Sequence, residues 1–582
     1  MLIRSASIGL LCALLALAGC ASEADGGGAP LNGRPNDDAY APSPVGGSGG
    51  TGDFGASAGA GGASGMGSFS NPGGASGTGA FAGAGGFGAG TGAPDGDFAP
   101  PLPSNQNEPH TDVGVNPFVL VAHDPFSTFA ADVDTASYDL MRRDLLANQV
   151  PVAAGVRLED YVNYFKYEYP APAEDSEHPF AISLAAAPHP VREGITLLRV
   201  GIQATLPTAF EKKPTNIVFL VDTSGSMQAP DKLPLVQHTL SEALSVLDPN
   251  DTVSIVSYAG DVQVRLPPTH VLDAAVIINA IQGLVSNGGT NGAGGIQLAY
   301  QQAEAGYIEG GINHVVLCTD GDFNIGVSST DELVEMIEDK RTTGVTLTAL
   351  GYGTGNLNDS MMEKVSNAGN GIYSLITSEA QANDYVENRL LSTLEHVAKD
   401  VKLQLELNPQ HVLAYRLLGY ENRAIADDDF RDDVIDAGEI GAGHRVTALY
   451  ELVMAGGTVP EVANGPTVQS GDPVEGEREI DAESLVLVKV RYKQPGASAE
   501  DPATEVQQTL APGAAAATLD AADADMRWAV AMAMFAELLK GSPYAHAGDL
   551  SVVSALATAQ ASRDAYRAEL VGLLEKYEIL RP

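Results

Sequence analysis

A doubly wound, mostly parallel α/β sheet, inserted in a discontinuous β-sandwich and followed by C-terminal helices, is the α/β fold that this 582-residue chain predicts. Three observations carry the prediction. Between residues 214 and 382 continuous apolar runs alternate with helical segments, the pattern of strands buried on both faces. On both sides of that region the hydrophobic period falls to two, as in antiparallel strands. The tail after residue 520 returns to a helical period.

In chain order, residues 1–19 carry Arg4 and then an apolar run from Ile8 to Leu17, too short to span a bilayer and shaped like a secretory signal. The run ends in Leu17-Ala18-Gly19-Cys20, which resembles the bacterial lipobox. That resemblance implies cleavage before Cys20 and lipidation of Cys20, and Ala21 after it implies the outer membrane of a double-membraned bacterium. Residues 20–110 are rich in Gly, Ala, Ser and Pro and cannot bury a core, so they read as a disordered tether. A flexible chain of roughly 90 residues has a root-mean-square span of about 50 Å.

Order begins near Asn116, within an N-terminal segment spanning residues 111–213. Leu158, Tyr161, Val162 and Phe165 follow helical spacing. Asp132 and Asp134 read as a turn and helix cap, because no further acid sits at a ligand-like spacing in the sequence. In ITLLRVGIQAT, Leu198, Val200, Ile202 and Ala204 alternate with Arg199, Gly201 and Gln203, which predicts a half-buried strand.

From 214 to 382 the predicted order is strand 217–221, helix 231–247, strands 252–258 and 262–266, helices 273–285 and 293–306, strand 314–319, helix 331–342, strand 345–350, helix 358–367 and strand 372–376. The remainder, 383–582, opens on VKLQLEL, where Val401, Leu403, Leu405 and Leu407 alternate with Lys402, Gln404 and Glu406. RVTALYEL and LVLVKVRY repeat that pattern, which belongs to sandwich strands. The stretch DDDFRDDVIDAGE between them lacks the sixth-position glycine of an EF-hand loop and reads as an acidic loop. Two helical stripes close the chain, Met526, Val530, Met534 and Leu538, then Leu570, Leu573, Leu574 and Tyr577.

A formal charge of −42 repels phosphate backbones and anionic headgroups, so nucleic acid is excluded as a partner and a solvated acidic exterior is expected. The three cysteines are Cys12, Cys20 and Cys318, and only Cys318 lies beyond the leader, so there is no disulfide framework.

The candidate site is the stretch NIVFLVDTSGSM. Its apolar strand delivers Asp222 to the C-terminal sheet edge, where open α/β sheets bind ligands. The spacing D-x-S-x-S puts Asp222, Ser224 and Ser226 on one tight loop able to converge on a small hard cation. Thr290, in the glycine-rich SNGGTNG, and Asp320, ending the apolar HVVLCTD, add two more oxygen-bearing side chains at strand ends. With the site empty, Asp222 and Asp320 are expected to repel each other across a small crevice.

This D-x-S-x-S, later Thr, later Asp order resembles the metal-ion-dependent adhesion site of the von Willebrand factor type A family. The resemblance implies Mg2+, with Mn2+ or Ca2+ as alternatives, held by Asp222, Ser224, Ser226 and Thr290 directly and by Asp320 through water. It also implies a protein ligand that offers a carboxylate to the metal. On the flanks, STFAADVDTASYDLMRR, VRLEDYVNYFKYEYP, VAKDVKLQLELNP and DAGEIGAGHRVTALYEL resemble a bacterial von Willebrand-domain family, often lipoproteins, over residues 111–580. That likeness implies architecture more than activity.

No H-E-x-x-H, G-x-S-x-G, P-loop or paired Cys-His spacing occurs, and Ser226-Met227 lacks the elbow of a serine hydrolase, so no catalysis is expected. The leading reading is an envelope-anchored adhesion module. The alternative is a non-catalytic assembly or chaperone-like scaffold working with an ATPase system. Such ATPases need cytoplasmic ATP, and a lipidated Cys20 places the chain outside.

Overall fold

The computed structural model describes residues 108–206, 212–321, 330–462, 465–469, 478–498 and 501–581. The leader, Cys20 and the tether up to residue 107 lie outside the described residues.

The first elements are β1 (Val119–Leu120), β2 (Phe126–Ala130), α1 (Ala136–Leu146), α2 (Leu158–Asn163), β3 (Phe180–Pro188) and β4 (Ile195–Ala204). The α/β region then runs β5 (Thr215–Asp222), α3 (Leu233–Ala243), β6 (Thr252–Tyr258), β7 (Val262–His270), α4 (Ala274–Gln282), α5 (Gly292–Ala305), β8 (Ile312–Thr319), α6 (Thr330–Arg341), β9 (Thr346–Tyr352), α7 (Asp359–Ala368), β10 (Tyr373–Ile376), α8 (Glu379–Tyr385) and α9 (Leu391–Leu394). Six strands form one sheet in the order β10-β9-β8-β5-β6-β7, parallel except for β7. Each face of the sheet has its own core. Leu240, Ile277 and Ile281 pack with Phe219 and Val221 on one side, and Ile296, Leu333 and Val365 pack with Val218 and Leu220 on the other. Covering both faces is why the central strands read as unbroken apolar runs.

After this region come β11 (His396–Leu407), β12 (Val412–Leu418), β13 (Gly438–Gly441), β14 (Arg445–Met454), β15 (Val486–Lys493), β16 (Thr504–Leu510), α10 (Ala524–Lys540), α11 (Asp549–Thr558) and α12 (Ala565–Leu580). Strands from the two ends of the chain share sheets. One sheet is β1-β12-β14-β4-β3, and the other is β13-β11-β15-β16 with β2 paired to β11. The two pack face to face through Leu198, Val200, Ile202, Leu403, Leu405, Val488 and Val490, so the α/β region is an insertion in a discontinuous sandwich.

Where period two predicts half-buried strands, the structure differs. Arg199, Gln203, Lys402, Gln404 and Glu406 are buried as well. The outer face of the first sheet is roofed by the C-terminal helices, which bring Trp528, Phe535 and Leu570 against Tyr161, Phe165, Leu197 and Leu449. The roof fits closely at Gly201, where an added Cβ would stand 2.6 Å from the Tyr169 ring. The polar alternates are held by partners: Arg199 by Asp523 at 2.7 Å, Lys489 by Glu406 at 3.3 Å, and Arg416 between Glu451 and Glu537. The acidic loop works the same way, with Asp433 on Arg491 and Asp436 on Arg341.

Contacts also begin earlier than the apolar pattern near Asn116. Glu108 is buried and takes two bonds from Arg143, and His110 lies 3.0 Å from Asp359. These anchors are polar, so hydropathy does not register them.

Because β4 pairs with β14 along its length, from Gln203–Arg445 to Ile195–Val453, residues 111–210 alone cover one edge of their longest strand with β3 and leave its other edge open. A fragment of those residues will show no cooperative thermal transition by circular dichroism, whereas the chain from 108 to 582 will.

Candidate metal centre

The site begins with the burial of β5. Its neighbours β6 and β8 pair with it in parallel on both sides, and every residue from Thr215 to Asp222 is buried. An ionised carboxylate without donors is costly there, and Asp222 is supplied with three. The Ser224 backbone N–H donates to Oδ1 at 2.8 Å, and the Thr319 and Tyr258 hydroxyls reach Oδ2 at 2.9 and 3.2 Å. The chain then makes a short 3-10 turn, Gly225–Gln228, pinned by the fully buried Met227. That turn brings the Ser224 and Ser226 hydroxyls to 2.9 Å from each other.

The Thr290 loop is stitched to this turn. Ser286 Oγ donates to the Ser224 carbonyl at 2.6 Å, Asn287 N to the Thr223 carbonyl at 2.8 Å, and Gly225 N to the Gly288 carbonyl at 3.1 Å. Gly288 has φ +83°, a conformation that favours glycine. Two residues further on, Thr290 is half-buried.

Asp320 follows the last residue of β8 and is buried. Its Oδ2 accepts from Lys232 Nζ at 2.8 Å and from Asn356 Nδ2 at 3.1 Å, and the Ser226 hydroxyl also bonds it. The structure therefore joins Asp222, Ser224, Ser226 and Asp320 in one hydrogen-bonded group and fastens the loop of Thr290 beside it. Lys232, Asn356, Tyr258 and Thr319 are the parts that sequence reasoning missed. Only Thr319 carried a signal, as the residue next to Asp320 at the same strand end.

The electrostatics modify the expectation of two carboxylates repelling each other. Burial pushes the Asp222 carboxyl up to about 6, against the pull of its Ser224 and Thr319 donors, and Asp320 adds a smaller upward push. For Asp320 burial also works upward, but the Lys232 ammonium and the Asn356 amide overcome it and hold the carboxyl below its ordinary range. One carboxylate is thus neutralised locally by a lysine, and the cost of the other is mainly desolvation. The donor set of carboxylate and hydroxyl oxygens, with no sulfur or imidazole, fits a hard divalent cation.

Residues 216–388 match the model of the von Willebrand factor type A domain, residues 104–199 match a model described as von Willebrand factor, and residues 392–580 match the C-terminal region of the uncharacterized protein YfbK. The chain is 37% identical over 467 residues to the uncharacterized protein YfbK of Escherichia coli K12, covering 79% of each. It is 26% identical over 268 residues to human inter-alpha-trypsin inhibitor heavy chain H3, spanning 43% of this chain and 29% of that one. Among solved structures, a von Willebrand factor type A protein from Catenulispora acidiphila aligns over 70% of this chain and 91% of its own, at 17% identity and a TM-score of 0.39.

The raised Asp222 carboxyl gives a signed pH dependence. In the metal-free protein this group takes up a proton on folding between its ordinary 3.8 and about 6. Its contribution to stability is therefore full below pH 4 and lost as pH rises through 6, by about 3 kcal/mol. In EDTA, wild type will lose about that much more stability between pH 4 and 7 than Asp222→Asn, measured by denaturant unfolding of both proteins at each pH.

Proposed function

Since the chain belongs to the family of YfbK, proteins built around a von Willebrand factor type A domain, we propose that it is a metal-dependent protein-binding module held at the cell envelope. Von Willebrand A domains commonly mediate protein–protein interactions and often bind a divalent metal ion, and the relatives are generally non-enzymatic. In this reading Asp222, Ser224, Ser226 and Thr290 hold Mg2+, with Asp320 acting through water. Lipidation of Cys20 anchors the chain to the outer membrane, and residues 20–110 act as the tether. Among the described residues no helix is long and apolar enough to cross a membrane.

The observation that carries the reading is the pairing of Lys232 with Asp320 at 2.8 Å. It cancels one of the two carboxylate charges, so a bound divalent ion retains positive charge. When bound, the ion supplies an exchangeable coordination position. Ser224, Ser226 and Thr290 bring neutral oxygens that orient the ion without further neutralising it, and a carboxylate from a partner protein is the ligand that such a centre favours. Tyr258 and Thr319 hold Asp222 in place.

The test uses the full chain immobilised against envelope extract. The protein will capture a ligand in millimolar Mg2+ and release it in EDTA. Asp222→Ala will stay folded, melt near the temperature of metal-free wild type, show no upward shift with Mg2+ and capture nothing. Cys20→Ser will move the protein from the outer-membrane fraction to the soluble one. Wild-type metal affinity in Asp222→Ala would remove this centre as the binding site.

A further inference from the structure

Asp132 makes the turn that sequence spacing assigns to it, its Oδ1 accepting from the Asp134 N–H, whereas the cap of α1 is Thr135 and Asp132 also joins an acidic cluster. One carboxylate oxygen from each of Asp132, Glu159 and Asp160 falls within 4.8 Å of the others. All three residues are buried, Glu159 at 1% and Asp160 at 0% exposure. Two oxygens of this group, Glu159 Oε1 and Asp160 Oδ1, are buried without any hydrogen-bond partner. A carboxylate oxygen left in a protein interior without a donor is costly.

Neighbouring cations do not relieve the deficit. Arg423 serves Asp132 at 2.8 Å and Asp134 at 3.2 Å, while Arg157 is divided among Asp160, Asp359 and Glu363. Five carboxylates thus share two guanidinium groups, and among the described residues no ion pair reaches Glu159. The remaining oxygens are tied down by the protein. Tyr420 N donates to Glu159 Oε2, Ser137 N to Asp160 Oδ2, and Asp134 N to Asp132 Oδ1.

We propose that Asp132, Glu159 and Asp160 form a second, structural cation site that takes Ca2+. Oxygens sharing a Ca2+ at about 2.3–2.6 Å stand no more than about 5 Å apart, which the three satisfy. Each carboxylate is already fixed through its other contacts, so it is poorly placed to rearrange around an ion. That suits the tolerant coordination of Ca2+ better than the octahedron Mg2+ demands. Asp132, though neither Glu159 nor Asp160, also lines a cavity of about 240 Å3 with Asp134 and Arg423.

The site joins the sandwich to the inserted sheet. Asp132 follows β2 of the sandwich, Glu159 and Asp160 belong to α2, and Tyr420 follows β12. Through Arg157 and Asp134 the cluster also reaches Asp359 of α7 and the Tyr373 N–H of β10 in the inserted sheet. The competing occupant is a proton, since burial, and then the charges of Glu421 and Asp160, push the Glu159 carboxyl up.

The test uses the full chain carrying Asp222→Ala, which silences the first centre, stripped with EDTA and titrated with CaCl2 and MgCl2 by calorimetry at neutral pH. One equivalent of Ca2+ will bind, more tightly than Mg2+, and raise the melting temperature. Adding Glu159→Gln or Asp160→Asn will weaken that binding at least tenfold. Should the added variants fail to fold, Tb3+ emission sensitised by Tyr161 and Tyr420 in the Asp222→Ala protein, displaced by Ca2+, reports the same site without them. Absence of saturable Ca2+ binding and of sensitised emission at millimolar ion, or binding that survives both substitutions, would overturn the proposal.

Discussion

The pairing of β4 with β14 is the constraint on which the rest of the molecule depends. Neither flank of the inserted region can satisfy its backbone alone, because an unpaired strand edge leaves a row of unmet N–H and C=O groups. Joining them closes the sandwich and brings the ends of the insertion together. Ala204 N bonds the His444 carbonyl at 2.9 Å, and Ala442 N bonds the Glu395 carbonyl at 2.7 Å. The α/β sheet is then held by two adjacent roots and by ionic clasps away from them. Arg157 grips Asp359, and Glu108 joins Arg143 to the Gly355 N–H. Buried pairs of this kind add little net stability, but breaking one leaves a bare charge inside, which makes the arrangement specific.

Within that frame the candidate centre follows from one strand. Because β5 is covered on both faces and paired on both edges, its last residue has no water to turn to. The fold surrounds Asp222 with hydroxyls and one N–H, and these groups include the hydroxyl oxygens that a hard cation takes. Lys232 then sets the charge of the centre. It comes from the loop before α3, whereas Asp320 follows β8, so the pairing that would leave a divalent ion electrophilic arises only in three dimensions.

Much of this was legible in the sequence. Apolar runs at 217–221 and 314–319 marked strands whose observed bounds are Thr215–Asp222 and Ile312–Thr319. D-x-S-x-S marked the turn, since its residues are local and their spacing is their geometry. What stayed hidden has physical reasons. Lys232 and Asn356 reach Asp320 from far along the chain, and nothing in their own neighbourhoods shows it. Glu108 and His110 are anchored by polar contacts, which apolar periodicity cannot detect. Lys402, Gln404 and Glu406 looked solvent-facing because alternation reports chemistry and not what later folds over it. Helix α11 was missed because its buried residues, Leu550, Val553 and Ala557, make a weak stripe among serines and alanines. Asp132 seemed isolated because Glu159 and Asp160 lie more than twenty residues on and meet it only when α2 docks.

The central claim, that the turn after β5 and the loops of Thr290 and Asp320 form a cation centre, is most directly tested by anomalous diffraction from crystals soaked in Mn2+. The account predicts a peak within coordination distance of the Asp222 carboxylate and the Ser224 and Ser226 hydroxyls, with the Lys232 to Asp320 pair retained beside it. A fully occupied crystal with no peak there, or with manganese bound only at other surface carboxylates, would contradict it.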